Sequence, residues 1–85
     1  MSCAHLADAG EPEPQTTEGC QACLAQGTTD WVHLRLCLAC GRVNCCDSSP
    51  WRHATAHFTE TGHPVVRSYE PGERWRWCYV DDELG

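Results

Sequence analysis

The stretch CLACGRVNCCD, residues 37–47, carries a Cys-x-x-Cys pair followed by two adjacent cysteines. Cys37 and Cys40 have the spacing with which a tight turn presents two thiolates to one tetrahedral zinc ion. Cys45 and Cys46 are neighbours, and two neighbouring side chains on a regular backbone can hardly bind the same metal, so we expect only one of them to be a ligand. The spacing alone leaves open which one it is.

The chain has 85 residues, which is enough for one domain but leaves little apolar core to oppose the entropy of ordering. Chains of this size are usually stabilised by disulfides or by a structural metal. Eight cysteines and five histidines supply the side chains for either solution. We therefore expect a single domain over residues 1–85 that depends on cross-links of one of these two kinds.

The N-terminal residues 1–14 have no basic start, no long apolar run and no small-residue cleavage pattern, so they do not read as a secretion signal. No segment has the length and apolar content of a transmembrane helix. We therefore expect a cytoplasmic location with reduced thiols, which disfavours a disulfide framework. A thioredoxin-like redox pair is disfavoured too, because neither CQAC (20–23) nor CLAC (37–40) is followed by a helix signal.

The charge pattern argues against a nucleic-acid partner. The formal net charge is -6, from twelve acidic residues against six arginines and no lysine. Binding to a phosphate backbone relies on clusters of Lys and Arg, whereas these arginines are dispersed among carboxylates. We expect a monomer that binds neither nucleic acid nor a membrane.

A helix of about residues 50–61 is predicted from the residues at its two ends. Ser49 is a typical N-cap, Pro50 suits the first helical position, and Gly62 suits the position just after the last turn. Residues 7–19 carry prolines, glycines and only acidic charges, and they are predicted to form a flexible, solvated loop.

Short strands are predicted on both sides of this helix. The strand signals are DWVHLRLC (30–37), GRVNC (41–45), PVVRSY (64–69) and RWRWCYV (74–80). The first strand would run into Cys37 and contain both Trp31 and His33, with a turn at Gly41 leading to the second. We therefore predict an α+β fold, in which one main helix packs on an antiparallel sheet of about four or five strands.

Further ligand-type side chains recur along the chain. They are Cys20 and Cys23, the histidines His53, His57 and His63, Cys3 with His5 near the start, and Cys78 with Asp81 near the end. With one cysteine of the adjacent pair, the pool holds ligands for three tetrahedral sites and leaves the other cysteine and His33 unused. His53 and His57 are one helical turn apart, so from the spacing alone they look able to share one metal.

In their order along the chain, these motifs resemble the UBP-type zinc finger of ubiquitin-specific proteases and of the cytoplasmic histone deacetylase. The matching elements are Cys-x-His at the start, two Cys-x-x-Cys pairs, a cysteine after four further residues, His-x-x-x-His, the triplet GHP (62–64) and the triplet WCY (77–79). The resemblance covers about residues 3–81. It implies a small, stand-alone member of the three-zinc subgroup, in which the ligand pairs interleave in a cross-brace.

The resemblance also implies a division of the ligands into three sets. The sets are Cys20, Cys23, Cys45 and His53; Cys37, Cys40, His57 and His63; and Cys3, His5 and Cys78 with Asp81, which stands where the family usually has a cysteine. Cys45 is then the ligand of the adjacent pair, and Cys46 takes the place of a glycine. We expect three Zn²⁺ ions per chain, each held in a closed and structural site.

Members of this family recognise free C-terminal tails, above all the Gly-Gly carboxylate of ubiquitin. The family arginine that binds this carboxylate is replaced here by Asp47, so the resemblance does not extend to ubiquitin binding by the usual contacts. Other residues of a tail-binding pocket would remain. They are the aromatic residues Trp31, Trp77 and Tyr79, with Arg42, Arg52 and Arg76 as candidates for a displaced guanidinium. The alternative is that these aromatic residues only cover the zinc sites and the sheet.

The sequence bears on three classes of function. A zinc-stabilised protein-interaction module that binds a protein or a C-terminal peptide tail is favoured. A zinc hydrolase would need an open metal position, and a deaminase would need a glutamate two residues after a ligand histidine, where this chain has Thr55, Thr59 and Val65. We therefore predict that the chain is not an enzyme. A regulatory or targeting unit that acts with a larger partner is the third alternative.

Overall fold

The computed structural model describes residues 4–85. The helices in this part are α1 (Ala4–Asp8), α2 (Gln21–Ala25) and α3 (His53–Thr61), and the strands are β1 (Leu34–Cys37), β2 (Val43–Cys45), β3 (Val65–Ser68), β4 (Arg76–Cys78) and β5 (Glu83–Leu84). Each of these helices is too short to cross a membrane. The fold is α+β with one antiparallel sheet, as predicted from the sequence.

The five strands of the described part form one sheet in the order β2-β1-β3-β4-β5, and all the neighbours pair antiparallel. Residues paired directly across such a ladder point to the same face. Cys37 pairs with Val66, Val66 with Trp77, and Trp77 with Leu84, so these four side chains form a row across four strands. Three residues of this row, Val66, Trp77 and Leu84, form the floor of the surface groove described below.

The opposite face of the sheet carries the apolar core. Its buried residues are Leu6, Leu36, Leu38, Val43, Val65 and Cys78. Leu6 comes from α1, and the Arg76 guanidinium on β4 donates to the Leu6 carbonyl at 2.9 Å. The first described helix is therefore held against the last part of the sheet by both packing and a hydrogen bond.

The main helix begins later than its sequence signals predicted. The N-cap is Arg52 in the left-handed region (φ 45°), not Ser49, and Arg52 makes no side-chain cap hydrogen bond. The Ser49 hydroxyl instead accepts from the Val32 backbone N–H at 2.8 Å, and the Ser49 N–H donates to the Cys46 carbonyl. Ser49 therefore stabilises a turn before the helix rather than capping it, and residues 50–52 lie outside the helix. The predicted end is confirmed, since Gly62 is the C-cap with φ 74°.

The first predicted strand is shorter than expected. β1 starts at Leu34, so Trp31 and His33 lie before it rather than in it. The reason is local, because the Val32 N–H is already engaged by Ser49 and is not free for a ladder. The exposed His33 ring instead approaches the Glu70 carboxylate at 2.7 Å. His33 belongs to none of the metal-ligand groups of residues 4–85.

Three of the described elements were not predicted at all, namely α1, α2 and β5. Helix α2 opens directly after Cys20, whose sulfur accepts from the Cys23 backbone N–H at 3.4 Å and so acts as the N-cap. The expectation that no helix follows CQAC was therefore wrong. The edge strand β5 is only two residues long, which is too short to leave a periodic signal.

The acidic loop, residues 7–19, is tied to the Cys37–Cys40 turn. The Gln15 backbone N–H donates to the Gly41 carbonyl at 2.8 Å, and its side-chain amide donates to the Cys40 carbonyl at 3.0 Å. Further along, the Tyr69 hydroxyl donates to the Thr16 carbonyl. The loop is thus anchored near its middle, and its flexibility stays a prediction.

Gly41 is the residue at which this anchoring depends on backbone geometry. It has φ 81°, and a Cβ atom there would overlap the Glu13 carbonyl oxygen. Gly27 has almost the same φ, 79°, but open space around it. We predict that Gly27→Ala costs about 1 kcal/mol of stability from left-handed strain alone, whereas Gly41→Ala costs about 3 kcal/mol because the loop must also move.

Urea unfolding of the zinc-loaded variants, followed by tryptophan fluorescence, measures this difference. Equal losses in the two variants would contradict the proposed contact between the loop and the Cys37–Cys40 turn. Gly27 is a matched control because its backbone strain is the same.

Candidate functional site

Cys20, Cys23, Cys45 and His53 converge to form the first group of potential metal ligands. The His53 Nδ1 atom lies 3.2–3.4 Å from each of the three sulfurs, and the Cys23 and Cys45 sulfurs are 3.9 Å apart. Around a tetrahedral zinc ion, sulfur–sulfur edges would be about 3.8 Å and sulfur–nitrogen edges about 3.6 Å. The donor set and its spacing therefore fit one zinc ion.

Local structure aims these side chains at one point. Cys20 precedes α2, Cys45 ends β2 and His53 begins α3, so three element ends meet there. The Cys45 backbone N–H donates to the Cys20 sulfur and the His53 N–H donates to the Cys45 sulfur, each at 3.2 Å. Such N–H groups orient ligand sulfurs and would stabilise their thiolate forms.

Cys37, Cys40, His57 and His63 converge to form the second group. The Cys37 sulfur lies 3.5 Å from His63 Nδ1, and the Cys40 sulfur lies 3.4 Å from His57 Nε2. The two ring nitrogens are 3.3 Å apart. These distances also fit the edges of a zinc tetrahedron, with two sulfur and two nitrogen donors.

The two histidines of α3 go to different groups. His53 belongs to the first group and His57 to the second, although they are one helical turn apart. Along the chain, the two groups therefore interleave in the cross-brace order that the resemblance implies. Zinc ligation by these eight residues stays a prediction. The structure brings their donor atoms together at distances that fit two tetrahedral zinc ions.

The protonation of these side chains favours a metal. Burial lowers the pKa of His53, and the charge of Arg42 lowers it further. Burial also lowers the pKa of His57, with the charge of His63 next in importance. Both rings are thus favoured in the neutral form that binds zinc. Burial raises the pKa of Cys23 to about 12, helped by its neighbouring thiols, so its thiolate needs a cation beside it.

His5, Cys78 and Asp81 form the third group. The Cys78 sulfur lies 3.7 Å from both His5 Nδ1 and Asp81 Oδ2, and those two atoms are 3.0 Å apart. Cys3, the expected fourth ligand, lies outside the described residues. A sulfur, an imidazole and a carboxylate are an acceptable partial set for zinc. This group is partly open to solvent, since the His5 and Asp81 side chains are 41% and 45% exposed while Cys78 is buried.

Cys46 takes part in none of the groups within residues 4–85. Its buried sulfur lies 3.6 Å from the Ser49 hydroxyl. The cysteines of the described residues are all free, so no disulfide joins them.

A groove crosses the face of the sheet opposite to the core. It encloses about 480 Å³ and is lined by Arg35, Asp47, Val66, Trp75, Trp77, Tyr79 and Leu84. We call it the aromatic groove. Trp77 and Tyr79 were predicted as pocket residues from the sequence, and the structure places both here.

Arg35 is the guanidinium in this groove, and it was not among the arginines predicted from the sequence. Arg35 pairs with Ser68 across the β1–β3 ladder. The Ser68 N–H in turn donates to the carbonyl of Trp75, the residue just before β4. Because Ser68 is small, the guanidinium passes over it and lies 4.4 Å from the centre of the Trp75 ring. Its NH1 atom also donates to the Leu34 carbonyl at 2.9 Å.

The four other predicted pocket residues lie elsewhere. Trp31 packs on the first group. Arg42 approaches the Asn44 amide oxygen, the exposed Arg52 precedes α3, and Arg76 binds the Leu6 carbonyl. None of these four lines the aromatic groove.

Asp47 is held at one end of the groove. The Thr55 hydroxyl of α3 donates to its carboxylate. Tyr79 lies beside it, stacked on Phe58 of α3 with ring centres 5.0 Å apart. Burial raises the pKa of the Tyr79 phenol; a hydrogen bond with Thr55 opposes this and the charge of Asp47 adds to it. Asp47 thus acts electrostatically on the aromatic wall.

Comparisons with known proteins agree with a zinc-finger arrangement of these ligand groups. A family model described as the zinc finger in ubiquitin hydrolases and other proteins matches residues 20–84, which include all of the first and second groups. Among solved structures, the solution NMR structure of a Rhodopseudomonas palustris protein is similar, with 50% sequence identity and a TM-score of 0.88. The match covers 99% of this chain and 80% of that one. No curated protein matches the chain.

We predict three zinc ions per chain in native mass spectrometry. Asp81→Ala should reduce the count to two, because the third group then loses its carboxylate while the other two are untouched. Two ions in the unaltered protein would show that the third group does not hold zinc, and none would overturn the interpretation. Chelation should unfold the chain, since metal binding and folding are coupled in domains of this size.

The adjacent cysteines give a matched pair of variants. Cys45→Ser should lose a zinc ion and unfold, because it removes a ligand from the first group. Cys46→Ser should keep all the zinc and cost about 1 kcal/mol, the loss expected from altering one buried side chain. Zinc content and thermal melting distinguish the two. Similar zinc loss in both variants would contradict the assignment of Cys45 alone as the ligand.

Proposed function

The chain belongs to the family of zinc fingers found in ubiquitin hydrolases and other proteins, and from this premise we propose that it is a zinc-stabilised protein-interaction module. In this proposal, its ligand is the C-terminal tail of a peptide or protein, held in the aromatic groove. The observation that carries the proposal is the presence of a guanidinium, Arg35, among the aromatic walls of that groove.

The zinc ions of the first two groups are proposed to be structural. Each group supplies four protein donors, which leaves a tetrahedral ion without a position for water or substrate. A hydrolytic zinc needs such an open position. The proposed role of these groups is therefore to hold the elements that carry the groove.

The groove has the composition expected of a peptide site. Its floor is apolar, with Val66, Trp77 and Leu84 in one cross-strand row. Trp75 and Tyr79 add aromatic surface on either side of Trp77 along the chain. Sites of this kind bury the ligand on apolar walls and fix its orientation with a few polar groups.

Arg35 is proposed to bind the terminal carboxylate. A guanidinium has five N–H donors in a fork that matches carboxylate geometry, and the one donor bonded to Leu34 leaves others available. Contact with the Trp75 ring holds this side chain in place, which lowers the entropic cost of binding. This assignment replaces the earlier candidates Arg42, Arg52 and Arg76.

A titration of the zinc-loaded protein tests the proposal. The probes are two hexapeptides that end in Gly-Gly, one with a free carboxylate and one amidated. Their binding is followed by tryptophan fluorescence, to which Trp75 and Trp77 in the groove contribute. We predict that amidation weakens binding about tenfold, because a charge-assisted hydrogen bond to the guanidinium is lost. Arg35→Gln should weaken binding of the free peptide by a similar factor and remove the effect of amidation.

Arg74→Gln is the matched control, because it removes the same charge from an exposed arginine that does not line the groove. Affinity that ignores amidation would exclude capture of the carboxylate. Equal effects of the two arginine variants would assign the result to net charge rather than to the groove.

A further inference from the structure

The aromatic groove carries two opposite charges that do not neutralise each other. Arg35 and Asp47 both line it, yet the ion pairs found within residues 4–85 do not join them. The Arg35 guanidinium lies on the Trp75 ring, and the Asp47 carboxylate is bonded by Thr55. Each charge is thus fixed by its own neighbours and remains open to a ligand.

The surroundings of Asp47 are those of a cation subsite. Its side chain is exposed, and one hydroxyl bond satisfies only part of the accepting capacity of a carboxylate. The aromatic ring of Tyr79 lines the groove with it and is locked by stacking on Phe58. A carboxylate attracts ammonium and guanidinium groups by charge, and the aromatic lining beside it offers apolar surface to the stems of these side chains.

We propose that Asp47 makes the groove selective for peptides that carry a lysine or arginine upstream of the residue held by Arg35. This inference rests on the proposed function and specifies its ligand. The peptide would place a carboxylate on Arg35 and a basic side chain on Asp47, so its charges run opposite to those of the groove.

The charge of the whole chain favours the same class of ligand. The net charge is -6, so the protein attracts basic segments and repels acidic ones at long range. Within the groove, aspartate instead of a cation at position 47 removes the repulsion that a basic side chain would meet there.

An array of free-carboxylate peptides tests this selectivity. Each hexapeptide is tethered by its N-terminus, ends in Gly-Gly, and carries arginine, glutamine or glutamate at one of the four preceding positions among alanines. At one position, the wild-type protein should bind the arginine peptide about fivefold more tightly than the glutamine peptide and should bind the glutamate peptide most weakly. High salt should reduce this preference.

Two groove variants and one control complete the experiment. Asp47→Asn keeps an oxygen that can accept from Thr55 and should abolish the preference for arginine, while Asp47→Arg should reverse it in favour of glutamate. Glu11→Gln changes the net charge equally but lies beside Leu36 and Arg67 on the opposite face of the sheet, and it should leave the preference intact. Zinc content and thermal melting confirm that each variant is folded.

The outcomes separate this inference from the proposed function. Peptide binding without charge preference, or equal loss in Asp47→Asn and Glu11→Gln, would overturn the role of Asp47 and leave tail binding in place. Absence of binding to every peptide by the folded, zinc-loaded protein would overturn both.

Discussion

Buried thiols that need a cation are the constraint on which the whole fold depends. In the first group, the donor atoms lie within 4.8 Å of one another, and Cys20, Cys23 and Cys45 are fully buried. Burial and the neighbouring sulfurs raise the pKa of Cys23, so a cation among the sulfurs would favour its thiolate form. The predicted zinc ion would supply that charge. Because its ligands would come from the ends of three elements, the free energy of metal binding would become free energy of folding.

The same ligand groups position the groove. Cys37 of the second group is the ladder partner of Val66, which in turn pairs with Trp77. Cys78 of the third group lies between Trp77 and Tyr79 in the chain and points to the core face. The groove floor is therefore fixed at one end by the second group and underneath by the third. An aromatic surface on so small a core needs this support, since core packing alone contributes little to stability at this size.

The parts of the fold that could be predicted are those set by local chemistry. The helix end at Gly62 follows from its left-handed backbone, and the Cys-x-x-Cys spacing marks the metal-binding turns. Two of the errors arose where a distant partner decided the outcome. Ser49 bonds Val32, 17 residues away, and this one contact both delayed α3 and shortened β1. Helix α2 was missed because its cap is a sulfur, for which helix-propensity rules give no signal.

Arg35 escaped prediction for a related reason. Its contact with Trp75 depends on the sheet register and on the small side chain of Ser68 between them, neither of which is visible in sequence spacing. Trp31 was predicted to line the pocket, but it packs on the first group rather than in the groove. Composition identified the kinds of side chain a peptide site requires, but only the topology assigned them to one surface.

Residues 45–47 join the first ligand group to the aromatic groove, because Cys45 belongs to the group and Asp47 lines the groove. Cys45 contributes a sulfur to the first group, Cys46 is buried beside Ser49, and Asp47 emerges in the groove. Both ends of this short segment are hydrogen-bonded to helix α3. The His53 N–H donates to the Cys45 sulfur, and the Thr55 hydroxyl donates to the Asp47 carboxylate. The backbone at position 47 is therefore fixed by the first group, whereas its side chain makes no contribution to metal binding. A change in the sign of the charge at this position removes none of the potential zinc ligands, so the proposed framework and the proposed ligand preference of the groove are separable properties of the same segment.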